Sequence, residues 1–459
     1  MLKFKKKIGI FQLIMLSLSA VVSLKSLPIF AEVGLSLILF LIIAMICFFI
    51  PLTMAIAELS STWPSKGGCY FWIKKAYGKY PAFLTMWAYW MESIIWFPTM
   101  LTFIISMLAY TISPIIPNLE TNAYFFIIGI IIIFWLLTYI NFKGLKVSAL
   151  FSSIGVIFGT IMPLILIILC GIVSIIKSYD NNNALIIKNL IPTLNFNNLV
   201  FFSGILLGIS GIELIAFHTG SIKNPKKNIP KVVIISAILI FLIYLLGSLS
   251  LALVVPKKEI CLASGVIQAL KIFFIKNNIS FIVPFLSFLL LLGSLASMNA
   301  WIIGPIKGIF ITAKDGFLPF FFLKTNKKKI PTNLLITQAI IGCSLTIIFF
   351  IFINSLNGLI WIFICLSFQF ASLLYIMIFL SVIKLRIKYP NVHRPYKMPF
   401  VYLTTFIGIS ICIFTFFISY IQPNNINITN NITYILLLTI TFILLLIPAI
   451  IISYRKYKK

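Results

Sequence analysis

Asn198–Lys231 reads NLVFFSGILLGISGIELIAFHTGSIKNPKKNIPK, and its reading decides the fold. It begins as an apolar run long enough to cross a bilayer, which takes about 20 residues. Midway along lie Gly208, Ser210, Gly211 and then a carboxylate, Glu213. Glycine loses the most backbone freedom and adds no side chain to the packing, so a Gly-Ile-Ser-Gly run weakens a helix. An acidic residue at the centre of a membrane helix costs about 2.5–3.5 kcal/mol on insertion scales, which argues for a task. Lys223, Lys226, Lys227 and Lys231 close the stretch and mark its cytoplasmic end. A broken membrane helix with a buried acid is one way a small-molecule pathway is built across a bilayer. A helix kink with the glutamate bonded to a neighbouring helix is the alternative.

The rest of the chain has the same character. It has 459 residues, 61% of them hydrophobic and only 10% charged, which is the composition of a polytopic membrane protein. Twelve apolar segments lie near 10–30, 35–57, 81–110, 122–141, 147–176, 199–220, 231–255, 281–313, 332–353, 358–383, 399–420 and 432–453. The N-terminal segment continues without a clear cleavage site and is read as a retained first helix. The net charge is +28, from 36 Lys and Arg against 8 Asp and Glu, and most of the bases sit between apolar segments. That placement favours the lipid bilayer over nucleic acid as the basic partner. With the N-terminus inside, 29 bases fall on the cytoplasmic side; Lys25, Lys177, Lys188, Lys257, Lys258, Lys271 and Lys276 fall outside. Both termini are therefore expected in the cytoplasm.

Segment one has its own weak point, with small residues at Ser17, Ser19, Ala20 and Ser23, and Pro28 is read as closing the helix. Small residues also suit close helix packing. Breaks in segments one and six, five segments apart, suggest an inverted repeat: about 8–178 and about 198–385, with extra helices at about 399–453. Segment two ends at Ala57-Glu58-Leu59, and STWPSKGGCYFW reads as a re-entrant cytoplasmic turn. Glu92 lies well inside segment three, where either a functional partner or a helix-to-helix hydrogen bond would satisfy it. Segment eight carries Ser294, Ser297, Asn299 and Trp301, and segment ten Gln369 and Tyr375, polar groups that a lipid-facing helix does not need. The outer loop from Pro256 to Ser280 has room for one or two short helices. Seven cysteines occur singly with no metal-ligand spacing, so no metal, cofactor or disulfide framework is expected.

Several of these stretches, in order, resemble the amino acid–polyamine–organocation permeases, particularly the glutamate/γ-aminobutyrate antiporter branch. They are LPIFAEVGLS, AELSSTWPSKGGCYFW, WMESIIWFPTML, GIELIAFHTGSIKNPKKNIP, AWIIGPIKGIFITAKDGFLP and KKKIPTNLLITQ. The resemblance covers nearly the whole chain. It implies an all-α integral membrane fold of 12 transmembrane helices, like the leucine transporter with five plus five inverted helices and two extra. It further implies exchange of amino acids or their decarboxylated products across a bacterial inner membrane. In such permeases backbone amides at the break in helix one hold the substrate carboxylate, and carbonyls of helix six hold the amino group. Carried over, these are Ser19, Ala20, Val21, Val22 and Ser23, with Ser210 and Gly211. Glu213 matches an acid beside the site, and Trp301 matches a gating tryptophan. The chain departs from the pattern at Ser19–Ser23, where the superfamily is glycine-rich, and at Ser297, near which glutamate exchangers place a carboxylate.

The expected protein is thus a secondary active amino acid transporter, a permease or antiporter working by alternating access. Ser297 and Trp301 join the substrate site, and Glu213, Glu92 and Tyr375 serve coupling or gating. Its partners would be a small-molecule amino acid, protons and the lipid bilayer, as a monomer or homodimer. A membrane enzyme would need a buried nucleophile or metal set, and the two histidines, His218 and His393, lie at cytoplasmic edges. A nutrient sensor with a transporter fold would be expected to add a soluble domain, and only Tyr454–Lys459 follow the last segment. A proton-coupled symporter stays open as an alternative.

Overall fold

Among the described residues two apolar helices, ending at Val21 and Gly208, stop short of the length that crosses a bilayer. The computed structural model describes residues 9–65, 67–143, 157–176, 196–214, 225–256, 259–353, 355–426, 428 and 430–457. Among these the architecture is helical, with one isolated antiparallel bridge between Thr325 and Pro331. Nine helices among the described residues are long and apolar enough to cross a membrane. Outward-facing Ile128, Ile132, Ile238, Phe406 and Leu444 are exposed, as lipid contact requires and water would penalise.

In chain order the helices are α1 (Ile10–Val21), α2 (Leu27–Ala31), α3 (Gly34–Thr62), α4 (Cys69–Tyr77), α5 (Lys79–Ile112) and α6 (Ala123–Phe142). Then follow α7 (Met162–Ile176), α8 (Phe202–Gly208), α9 (Pro225–Val254), α10 (Gly265–Lys276) and α11 (Val283–Lys314). The chain ends in α12 (Thr332–Phe352), α13 (Leu356–Lys388), α14 (Val401–Ile418) and α15 (Asn431–Tyr457). Burial sorts them. The apolar windows of α5 and α13 are 78% and 83% buried, so these two are the inner posts, while α15, at 11%, is peripheral. Helix α5 packs along both α11 and α13, and α9 packs along α3, α7 and α1.

Four readings of the sequence are corrected here. Pro28 does not close segment one; it stands in the first turn of α2 and opens a second half-helix. Proline is tolerated there because its missing N–H would have had no intrahelical partner. Lys25 does not face the outside; it is buried at 3% exposure. The stretch after segment two is not a turn alone, because it contains α4, whose Cys69, Tyr70, Trp72 and Ile73 are buried. Segment two also runs past Leu59, to Thr62. The expected helix in the outer loop is present as α10. Lys223, His218, residues 147–156 of segment five and segment six beyond 214 lie outside the described residues.

Near the C-terminal end of α3, Glu58 is held at 1% exposure by several donors. Arg386 donates from Nε at 2.9 Å and from Nη2 at 2.5 Å, and the Met398 amide donates at 2.7 Å. Arg394 Nε stands 3.3 Å away. These contacts tie α3, α13 and the approach to α14 together. A paired, fully hydrogen-bonded carboxylate is the form in which a buried charge is tolerated.

Candidate functional site

The two interruptions meet. Helix α1 ends at Val21, and Ser23 is extended (φ −131°, ψ 122°) before a short 3-10 turn, Leu24–Ser26, leads into α2. Helix α8 ends at Gly208, and the chain passes Ser210 and Gly211 before one further turn over residues 212–214. Gly211 has φ +117°, a conformation that residues with a Cβ rarely adopt. Gly208 serves close approach: a Cβ there would lie 2.6 Å from Phe30 Cζ of α2.

Tyr244 of α9 holds the two breaks together. Its hydroxyl accepts from the Ser23 amide at 3.1 Å and lies 2.7 Å from the Val21 carbonyl and 2.8 Å from the Gly208 carbonyl. With one proton, it donates to one carbonyl at a time. The ring stacks at a tilt against Phe30, centroids 4.8 Å apart. A break leaves backbone groups without helical partners, and in an apolar interior each needs another. Tyr244 supplies that partner to both breaks at once.

Around this junction is a cavity lined by residues of both breaks and of α5, α11 and α13. One wall is Val21, Val22, Ser23 and Ser26; another is Gly208, Ser210, Gly211 and Glu213. Lys25, Glu92, Trp96, Ser297 and Trp301 also line it, and Tyr375 completes it from α13. Ser19 and Ala20 fall in the last turn of α1, so the break begins later than the small residues suggest. The remaining predicted residues, Val21, Val22, Ser23, Ser210, Gly211, Ser297, Trp301, Glu213, Glu92 and Tyr375, line this one space.

Glu213 is buried at 1% exposure and bonded on both sides. Its Oε2 accepts from the Gly211 amide at 3.1 Å, closing the break on itself, and its Oε1 accepts from the Tyr375 hydroxyl at 3.3 Å. The Tyr375 ring meets Phe48 edge-on at 5.2 Å. Lys25 donates to Thr99 Oγ1, and its ammonium lies 4.5 Å from the Trp96 ring centroid. Trp96 in turn lies 5.5 Å from Trp301. Lys25 and Glu92 both line the cavity and influence one another electrostatically.

Other polar positions singled out from the sequence have different duties. Asn299 pairs with Asn141 of α6 at 2.8 Å, Gln369 donates to Ser419 at 2.9 Å, and Ser294 bonds the Leu291 carbonyl of its own helix. Sequence reasoning missed Lys25, Trp96 and Tyr244. Lys25 had a signal, since a lysine three residues before Pro28 interrupts an otherwise apolar run. Tyr244 had none, being one more aromatic in an apolar helix. Among the described residues no group of three His, Cys, Asp or Glu side chains is placed to hold a metal ion. The site therefore offers one cation, two carboxylates, two tryptophans and the backbone groups of two breaks. Such an inventory suits a small charged solute.

Comparison with known proteins points the same way. A family profile described as "Amino acid permease" matches residues 8–443. The chain is 37% identical over 430 residues to an uncharacterized transporter of Legionella pneumophila, covering 93% of this chain and 92% of that protein. It is 29% identical over 454 residues to a glutamate/gamma-aminobutyrate antiporter of Lactococcus lactis, covering 96% and 88%. A probable agmatine/putrescine antiporter of the same species is 24% identical over 395 residues, covering 86% and 83%.

Proposed function

The chain belongs to the amino acid permease family and is a multi-pass secondary amino acid transporter, and we propose that it exchanges amino acids across a bacterial inner membrane by alternating access around the cavity between its two breaks. The observation that carries this reading is the meeting of the Val21–Ser23 and Gly208–Gly211 breaks on one tyrosine hydroxyl, beside a cavity lined by charged and aromatic side chains. Broken half-helices present their carbonyl ends to cations and their amide ends to anions, which is what a zwitterion needs. In this reading the backbone around Ser23 receives the carboxylate, and the carbonyls around Ser210 receive the ammonium. Glu213 carries the coupled proton, with Glu92 and Tyr375 beside it. No catalytic step is assigned.

Twelve spans with both termini in the cytoplasm are part of the proposal, as are the repeats at about 8–178 and 198–385 with 399–453 appended. The basic residues support that orientation even with Lys25 removed from the outer side. Cysteine labelling from outside intact cells should fail at Asn224→Cys and succeed at Asn424→Cys; the reverse pattern would contradict it.

The exchange itself is tested by counterflow. Purified protein in liposomes preloaded with an unlabelled amino acid should accumulate the labelled amino acid from outside, and empty liposomes should not. Uptake into empty liposomes driven by a pH gradient would instead support proton-coupled symport.

A further inference from the structure

We propose that Lys25 is a specificity-determining residue of the transport site: its ammonium receives a carboxylate on the substrate's side chain and turns away cationic side chains. The inference rests on the transport reading above and adds the charge class of the substrate.

Lys25 sits on the 3-10 turn directly after the first break, at 3% exposure, with its side chain in the wall of the cavity. A lysine is almost never fully buried unless paired, and inside a membrane protein an ionisable residue marks a functional site by default. Its hydrogen bond orients the charge, and Glu92 acts on it electrostatically without a direct ion pair among the described residues. Among the described residues its only hydrogen bond goes to Thr99 Oγ1, and that hydroxyl donates onward to the Trp96 carbonyl at 2.7 Å. The Trp96 face adds an attraction for the cation. An ammonium has three N–H donors, and this arrangement uses one.

The same contact changes what the tryptophans can do. A Trp96–Trp301 wall beside a transport cavity invites a cationic group of the substrate. Here the protein's own lysine occupies the Trp96 face, at 4.5 Å from the ring centroid. A second cation brought to that wall would meet Lys25, and like charges in a poorly hydrated cavity repel strongly. A side-chain carboxylate arriving there would gain a charge-assisted bond. Ser297, in the same lining, adds a hydroxyl. Glu92 lines the same cavity and its Oε2 has no hydrogen-bond partner among the described residues. Lys25 therefore shares the cavity with a resident carboxylate and with whatever the substrate brings.

A purely structural role, with Lys25 present only to balance Glu92, makes a different forecast, and a ratio separates the two. Counterflow in proteoliposomes is measured for labelled glutamate, its neutral isostere glutamine, and arginine. Wild-type protein should favour glutamate over glutamine in kcat/KM by about tenfold or more, the factor of one charge-assisted contact, and should exclude arginine. Lys25→Met should collapse that ratio by about tenfold, chiefly through a higher KM for glutamate, and Lys25→Arg should restore most of it. The double variant Lys25→Met/Glu92→Gln keeps the cavity's charge balance and should show the same collapse even if the single variant inserts poorly. A wild-type protein that exchanges glutamine or arginine as well as glutamate overturns the inference and leaves the transport reading standing. So does a ratio unchanged in both the single and the double variant. Absence of counterflow for all amino acids overturns the transport reading, and the inference with it.

Discussion

The two breaks do the same geometric job with different chemistry. The break in α8 is made of glycine: Gly208 lets Phe30 approach and Gly211 takes φ +117°, and the carboxylate two residues on bonds the freed amide. The break after α1 contains no glycine. Its Ser23 is simply extended, and its exposed backbone is satisfied from outside by Tyr244. One break is written into its own residues and the other is held by a neighbour. Their charges are opposite as well, Glu213 beyond one and Lys25 beyond the other. A cavity bordered by such a pair can meet both ends of a zwitterion, which two identical breaks could not do as readily.

The largest effect should come from the glycine-built break. Gly211→Leu forces a Cβ into a backbone region that costs about 1–2 kcal/mol or more for an L-residue and puts bulk into the cavity. Counterflow should be lost while membrane insertion, measured by yield in the bilayer fraction, persists; retained transport would break the comparison. Glu213→Gln keeps the shape and removes the charge. If Glu213 carries the proton, pH-driven uptake should disappear while exchange of one amino acid for another remains. If Glu213 only braces α8, both should fall together with yield. Tyr244→Phe leaves the ring and removes the hydroxyl that both breaks share. Orphaning buried backbone groups costs about 1–3 kcal/mol, so the melting temperature should fall by a few degrees and exchange by about tenfold. The smallest effect should be at Ser23→Ala, because this break uses the Ser23 backbone and its side chain caps nothing. Exchange should change by less than about threefold, as for substitutions away from such features. A loss as large as that of Tyr244→Phe would mean that the first break is also built from its own side chain.

The glycine-built break was legible in the sequence because its cause is local. Gly208, Ser210, Gly211 and Glu213 announce a weak helix and a buried charge to anyone reading along the chain. The first break was expected over Ser19–Ser23, and only its later part, after Val21, leaves the helix, because small residues were taken as the signal. What interrupts that helix is a partner 221 residues away, and no local pattern encodes it. The same distinction explains Lys25. Counting lysines by side is sound for loops, but Lys25 lies within a span, and its burial depends on Trp96 and Thr99 of another helix. Asn299 and Gln369 were legible only as polar groups that a lipid-facing helix does not need. Polarity in a membrane helix shows that a partner is needed and is silent on whether it is a solute, or Asn141 and Ser419.

The central claim is that one solute sits between the two breaks. In a protein whose native cysteines have been replaced, Ser23→Cys and Ser210→Cys would be introduced one at a time, and the rate of modification by a small methanethiosulfonate reagent measured as amino acid is added. The account predicts that the same amino acid slows modification at both positions, with one shared half-protection concentration. Protection at only one position, or at neither while counterflow persists, would contradict it.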